Sequence, residues 1–255
     1  MSLIELYKCL YYLIGGNCME NSEIKKLSKE NLKGNWLKFV LVTLVVFILT
    51  GIPELIFNES NISIANNVLT FIISVLTGVF SINLYLNLVR NGKFDINNIT
   101  KDFKVYLRYA GFSLILGIVV VVITIILISI FIGSIFSITF FEYEISYVIF
   151  SLILVAVSLS LMMLIINTFF LPVEYLIVDG FTLSESLSKS FSLMKGNKWR
   201  FFKFQLSFLG WMILGILTLG IGLLWVMPYY STSLANFYLI IRNEKDSCEK
   251  FDLNA

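Results

Sequence analysis

The chain has 255 residues, of which 58% are hydrophobic and 14% charged, with a mean hydropathy of +0.86. An ordinary soluble domain is about 45–50% apolar and about 25% charged, so this composition excludes a soluble globular protein and points to an integral membrane protein. Nineteen Lys and Arg against 17 Asp and Glu leave a net charge of +2, too small for the basic surface that a nucleic-acid partner requires.

The chain opens with the apolar run "LYYLI" after Lys8, shorter than the apolar region of a signal peptide and followed by no small-residue cleavage site. The first membrane span is therefore expected to act as its own uncleaved insertion signal. "LIGGNC" lacks the residues that a lipoprotein box needs before Cys18, which is read as an unmodified thiol. Met19 opens "MENSEIKKLSKENLKGNW", which reads as a complete beginning, so residues 1–18 are expected to be an upstream extension and 19–255 a single membrane domain.

Ile24, Leu27 and Leu32 recur at helical spacing, which predicts an amphipathic helix leading into the turn Lys33-Gly34-Asn35-Trp36. Apolar runs long enough to cross a hydrocarbon core, which takes about 20 helical residues, then follow near 39–57 and 67–89. Ile99, Phe103 and Leu107 mark a second amphipathic stretch. The next apolar run, 109–141, is too long for an upright helix, being about 50 Å against a core of about 30 Å. The helix should tilt, or stop near Gly133-Ser134 so that the span is 109–133. A fourth span is expected at 146–171. Beyond it, Thr182-x-x-Glu185 is a capping-box pattern that opens a third amphipathic helix with an apolar stripe of Leu183, Leu187, Phe191 and Met194. These stripes can rest in the lipid interface or against the bundle, and the sequence does not choose. The last apolar run is interrupted by Gly220, Gly222 and Pro228 and is read as two helices, near 204–221 and 223–241. The fold expected is all-α: a polytopic transmembrane helical bundle of six spans, arranged as three hairpins, each preceded by a cytoplasmic amphipathic helix.

Charge placement gives an independent test. All 19 cations precede span 1, lie between spans 2 and 3 or between spans 4 and 5, or follow span 6, and the alternate connections hold none. By the positive-inside rule both termini are expected to be cytoplasmic.

"LMKGNKWRFFKF" (193–204) is the densest basic and aromatic stretch. Leu32-Lys33-Gly34-Asn35-Trp36 before span 1 matches Met194-Lys195-Gly196-Asn197-Lys198-Trp199 before span 5, with Lys198 as an insertion. Val89-Arg90-Asn91-Gly92-Lys93 after span 2 resembles Ile241-Arg242-Asn243-Glu244-Lys245 after span 6. Hairpins 1 and 3 thus read as parallel copies. Gly can stop the amphipathic helix in a left-handed conformation, Asn can bond the freed backbone, and Trp with Lys or Arg suits headgroup depth. The candidate lipid contacts are Lys33, Gly34, Asn35, Trp36, Lys195, Gly196, Asn197, Lys198, Trp199, Arg200 and Lys203. Glu174 reads first as a solvated carboxylate at headgroup level, and alternatively as a residue inside the bundle paired with a cation from the segment before span 5. With Asn167 and Gln205, and with Asn83 and Asn87, it could line a polar cavity or join interhelical hydrogen bonds.

The chain has no His, its three Cys form no CxxC, and it contains no GxSxG elbow or GxxxxGK[ST] loop. No catalytic, cofactor or metal site is expected, and an enzyme is not. A lipid-processing pair of Glu174 and Asp179 is the residual enzymatic reading.

"ENLKGNW", "LVRNGKFDINNITKDFKVY", "LSESLSKSFSLMKGNKWRFFKFQLSFLGW", "LTLGIGLLWVMPY" and "ANFYLI" together resemble the Gram-positive membrane-protein family catalogued as domain of unknown function 975, over roughly residues 20–245. The resemblance implies a multi-pass protein of the bacterial cytoplasmic membrane, and no activity, substrate or catalytic residue. Two functions compete on the residues themselves. One is a non-enzymatic module that organises, senses or protects the membrane or assists another complex, through anionic lipid and either a membrane-protein partner or a second copy. The other is a small-solute or lipid transporter built from duplicated hairpins.

Overall fold

The computed structural model describes residues 20–56, 63–94, 101–141 and 145–252. The extension 1–18, with Cys9 and Cys18, lies outside them, as do Ile99, Glu142 and Glu144. The described residues form eight helices: α1 (Asn21–Leu32), α2 (Trp36–Ile56), α3 (Ser63–Asn91), α4 (Phe103–Phe141), α5 (Ile145–Val178), α6 (Leu183–Met194), α7 (Lys198–Leu217) and α8 (Leu223–Asp252). No strand occurs among them. Three stretches are long and apolar enough to cross a membrane, namely Asn66–Asn91, Phe103–Gly133 and Lys198–Leu217. A fourth is reached if α1 and the first part of α2, which meet at 94°, are taken as one broken span.

Helix starts follow the local chemistry. The N–H of Thr182 donates to the Glu185 carboxylate at 3.0 Å while the Glu185 N–H returns to Thr182 Oγ1 at 3.4 Å, the reciprocal box expected at α6. That bonding to the Thr182 backbone holds the Glu185 carboxyl below its ordinary range. Glu20 and Glu23 form the same kind of box at α1.

Helix α4 does not stop at Gly133-Ser134: it runs for 39 residues, about 58 Å at 1.5 Å per residue. Isolated Gly and Ser are weak breakers when β-branched and aromatic apolar residues flank them and no cap competes for the backbone. Pro172 and Pro228 also lie inside α5 and α8. The break between α7 and α8 is instead at 218–222, where Leu219 and Gly220 take φ of +56° and +85°. Thr218 Oγ1 holds this turn by donating to the Gly215 carbonyl and accepting from the Gly222 N–H, both at 2.8 Å.

Burial is uneven along the helices. The fully buried side chains gather near the charged ends: Phe39 on α2, Leu84, Leu86 and Leu88 on α3, Phe112 on α4, 175–178 on α5, Phe201, Phe204 and Phe208 on α7. Helix α8 lies at their centre, with Thr232 to Tyr238 all buried and with α1, α2, α3, α5, α6 and α7 packed on it. Away from that layer, α2, α4, α5 and α7 present Phe47, Ile118, Phe150 and Ile216, all more than half exposed. So broad an apolar surface is incompatible with water contact and is that of a membrane protein.

The short helices settle differently on this layer. Helix α1 buries Ile24, Ser28 and Leu32 against α8, where Asn236 Nδ2 donates to Ser28 Oγ at 2.9 Å. Its Lys25 reaches the Ser207 carbonyl at 3.1 Å and lies 4.6 Å from the Phe208 ring centroid. Burial, and then the nearby charge of Lys29, lower the Lys25 ammonium from its ordinary pKa. Helix α6 departs from expectation. It buries Ser186, Ser190, Leu193 and Met194, while Phe191, assigned to the apolar stripe, is 51% exposed. Small serines let α6 and α5 approach closely, which turns the larger stripe partly outward.

The α7–α8 turn yields a test. A Cβ on Gly222 would stand 2.9 Å from Gly215 Cα, whereas nothing lies within 4 Å of one on Gly117. Gly222→Ala should cost about 1–3 kcal/mol of stability through overpacking, read as a lower thermal midpoint in detergent. Gly117→Ala should cost nothing; equal losses would refute the close approach.

Candidate functional site

Three charged residues lie near one end of the bundle: Arg90 in the last turn of α3, Asp179 directly after α5, and Arg242 within α8. The three meet. Arg90 Nη2 donates to both carboxylate oxygens of Asp179, at 2.8 and 2.9 Å. Arg242 Nη1 donates to Asp179 Oδ2, which also accepts from the Tyr238 hydroxyl at 2.8 Å. The side chain of Asp179 is only 6% exposed, against 35% for Arg90 and 27% for Arg242. A buried carboxylate is tolerable only when paired and hydrogen-bonded, and here all its described partners are donors.

The residues after Asp179 are held by more cations. Gly180 has φ of +99°, a left-handed conformation that glycine adopts without strain. Arg108 Nη1 donates to the carbonyls of Gly180 and Phe181 at 2.8 and 3.2 Å. Lys189 stands 3.9 Å from the Phe181 ring centroid and the Arg242 guanidinium 5.4 Å. The short segment 179–181 is thus gripped from α3, α4, α6 and α8.

The two Lys-Gly-Asn turns share one backbone geometry. Gly34 and Gly196 have φ of +83° and +88°. Asn35 N–H donates to Leu32 O at 2.9 Å and Asn197 N–H to Met194 O at 3.1 Å; Phe39 N–H then reaches Asn35 O and Phe201 N–H reaches Asn197 O. This register places Trp36 opposite Lys198, and the buried Phe39 opposite the buried Phe201, with no insertion. The tryptophans are not equivalent. Trp36 is half-buried, its ring 6.4 Å from that of Tyr229, whereas Trp199 is 64% exposed and stacked 5.4 Å from Phe202.

The expected lipid contacts divide accordingly. Lys33, Gly34, Lys195, Gly196, Lys198, Trp199 and Lys203 are exposed, and Asn35 is half-buried. Lys203 lies 5.5 Å over the Trp199 ring. Asn197 and Arg200 turn inward because positions 197, 200, 201, 204 and 208 share one face of α7, the buried one. Asn197 Nδ2 bonds the Leu193 carbonyl at 3.2 Å, as expected of Asn at the bend, and Arg200 lies 5.3 Å from the Phe237 ring.

Glu174 makes no ion pair among the described residues, so the alternative pairing with the segment before α7 is not formed. Gln205 is buried and hydrogen-bonds Tyr230. Asn83 is buried and Asn87 half-buried. The side chain of Asn167 lies outside those described. A cavity of about 580 Å³ lined by α2, α3 and Tyr106 of α4 is largely apolar and includes Lys38, and neither Glu174 nor Gln205 lines it. Sequence reading missed the cluster on Asp179. The signal was there in Val89-Arg90, Val178-Asp179 and Ile241-Arg242, two arginines and one aspartate each directly after a long charge-free apolar run or close to its end.

A family model described as protein of unknown function (DUF975) matches residues 19–245, so the chain belongs to that family. No curated protein and no solved structure matches it.

The Asp179 cluster can be tested by charge removal. Losing one partner of a buried pair costs about 3–5 kcal/mol, but both arginines are partly solvated and screened, so Asp179→Asn should cost about 2 kcal/mol. Arg90→Gln added to Asp179→Asn should cost little more, a coupling that a double-mutant cycle measures. A wild-type thermal midpoint in Asp179→Asn would show that the cluster contributes nothing to stability.

Proposed function

We propose that this member of the family is a non-enzymatic module of the bacterial cytoplasmic membrane. Six spans are arranged as three hairpins, each preceded by a cytoplasmic amphipathic helix, with both termini cytoplasmic. It organises, senses or protects the membrane, or assists a partner complex there, and holds anionic lipid at its basic cytoplasmic edge. The observation that carries this reading is the exposed set Lys195, Lys198 and Lys203 around the stacked Trp199 and Phe202, at the start of α7, a helix long and apolar enough to span a membrane. Aromatic rings and lysines together suit headgroup depth, and each Lys near an anionic leaflet is worth about 1 kcal/mol. Asp179, the one acid that a hydrolytic pair would need beside Glu174, is occupied by two arginines and Tyr238, which supports a role without catalysis.

A transporter is the second reading, supported by the polar groups buried on α8 (Thr232, Ser233 and Asn236) and by Gln205 on α7. In lipid such groups form interhelical hydrogen bonds or line a pathway.

Proteoliposomes separate the two. Spin-labelled phosphatidylglycerol should associate with the protein in preference to spin-labelled phosphatidylcholine. Replacing Lys195, Lys198 and Lys203 together by Gln should bring the preference close to parity; an unchanged preference would remove the lipid-contact reading. Movement of ions or labelled lipid across the same vesicles, above that of empty ones, would favour the transporter.

A further inference from the structure

On the far side of the Asp179 cluster lies a cleft of about 530 Å³, walled by α1, α3 and α8. Its polar lining is Asn31, Arg90, Asn236, Arg242 and Asn243, and Leu27 belongs to its apolar part. Three features give it a sign. Arg90 and Arg242 both line it, and both bond the carboxylate of Asp179. The carboxylate is the shielded member, at 6% exposure, while the arginines keep 35% and 27%, so the guanidiniums are what the triad presents to solvent. Both bonds of Arg90 to Asp179 run through Nη2, and Nη1 and Nε of a guanidinium carry three further N–H donors. The amide wall is also fixed, because Asn236 Nδ2 bonds Ser28 Oγ at 2.9 Å and the Thr232 carbonyl at 3.1 Å, while its Oδ1 accepts from Asn31 at 3.3 Å.

We propose that this cleft is a binding site for a phosphate-bearing anion, held by Arg90 and Arg242 with the amides of Asn31 and Asn243 around it. Guanidinium forks match phosphate oxygens in geometry as well as charge. The volume falls in the range of small-ligand sites, about 300–1,000 Å³, and exceeds what a bare phosphate fills, leaving room for an esterified group against the apolar wall. The phosphate can come from a phospholipid headgroup or from a soluble phosphate compound. This site is separate from the exposed lysines of α7, so it stands or falls apart from the lipid contact proposed there.

Thermal unfolding of the full chain in neutral maltoside detergent tests it, with inorganic phosphate, short-chain phosphatidylglycerol and short-chain phosphatidylcholine added at matched ionic strength. A saturable rise in midpoint is expected with phosphate or phosphatidylglycerol and none with phosphatidylcholine. A larger rise with phosphatidylglycerol identifies the headgroup as the source, and a rise with inorganic phosphate that the lipid does not exceed identifies a soluble ligand. Asn243→Asp, which places a carboxylate on the rim and leaves the Asp179 cluster intact, should raise the half-saturating concentration at least tenfold. Arg90→Lys, which keeps the charge but loses the fork, should do the same. The triple Lys→Gln variant of α7 should respond like the wild type. No saturable shift with either anion, or an Asn243→Asp protein that responds like the wild type, overturns the site.

Discussion

A carboxylate buried at 6% exposure cannot be left alone in a low-dielectric layer, and the packing at this end of the bundle follows from that constraint. Asp179 stands directly beyond α5, so the arginines must come to it, Arg90 from α3 and Arg242 from α8. Each ion pair fixes how far one helix can slide along another. Tyr238 tightens the arrangement from below: its hydroxyl bonds Asp179 and its ring lies 5.0 Å from that of Tyr175. Arg108 adds α4 by way of the backbone carbonyls of 180 and 181. Helices that share a greasy surface with lipid have little hydrophobic preference for one another, so polar contacts of this kind, with close packing, must set their register.

Close packing supplies the remainder within the same layer. Phe201, Phe204, Phe208 and Phe237 form a chain of rings at 5.0 to 6.1 Å that ties α7 to α8. Phe39 stacks on Tyr85 at 5.1 Å and meets Phe94 edge-on at 5.3 Å, which ties α2 to α3. Offset and edge-to-face pairs add about 0.5–1.5 kcal/mol each beyond burial. Ser28, Ser186 and Ser190, all fully buried, do the converse: they bring the short helices α1 and α6 close to the bundle. In the far halves of α2, α4 and α5, apolar side chains such as Phe47, Ile125 and Phe150 are exposed.

Much of this was legible in the sequence, and the part that was not has a physical reason. Long charge-free runs, the capping box at Thr182 and Glu185, and the glycines of the two Lys-Gly-Asn turns are local signals, and the structure realises each locally. The meeting of Arg90, Asp179 and Arg242 depends on three segments more than 60 residues apart, and no period in the chain announces it. Arg200 illustrates a different limit. Between Trp199 and Phe201 it reads as part of an exposed basic run, but the helical register that begins at Asn197 carries it to the buried face. In α6 the stripe of Leu183, Leu187 and Phe191 was weighed by hydrophobicity, whereas the approach to α5 selected small size.

The two turns show how one backbone solution can carry different surfaces. Gly34 and Gly196 take the same left-handed conformation, and in both cases the fourth residue after Asn sends a buried phenylalanine into the core. In the first turn Trp36 is drawn toward Tyr229 of the central helix, and Lys29 of α1 also lies over that ring, at 5.4 Å; its chemistry is spent on packing. In the second, Arg200 takes the inward place, over Phe237, and Trp199 is released to the outside with Lys198 and Lys203 beside it. Inward packing by α1 and α2 and outward display by α7 are thus alternative uses of the same bend. The choice is made by which side chains occupy the first three positions after the asparagine, not by the Lys-Gly-Asn element itself.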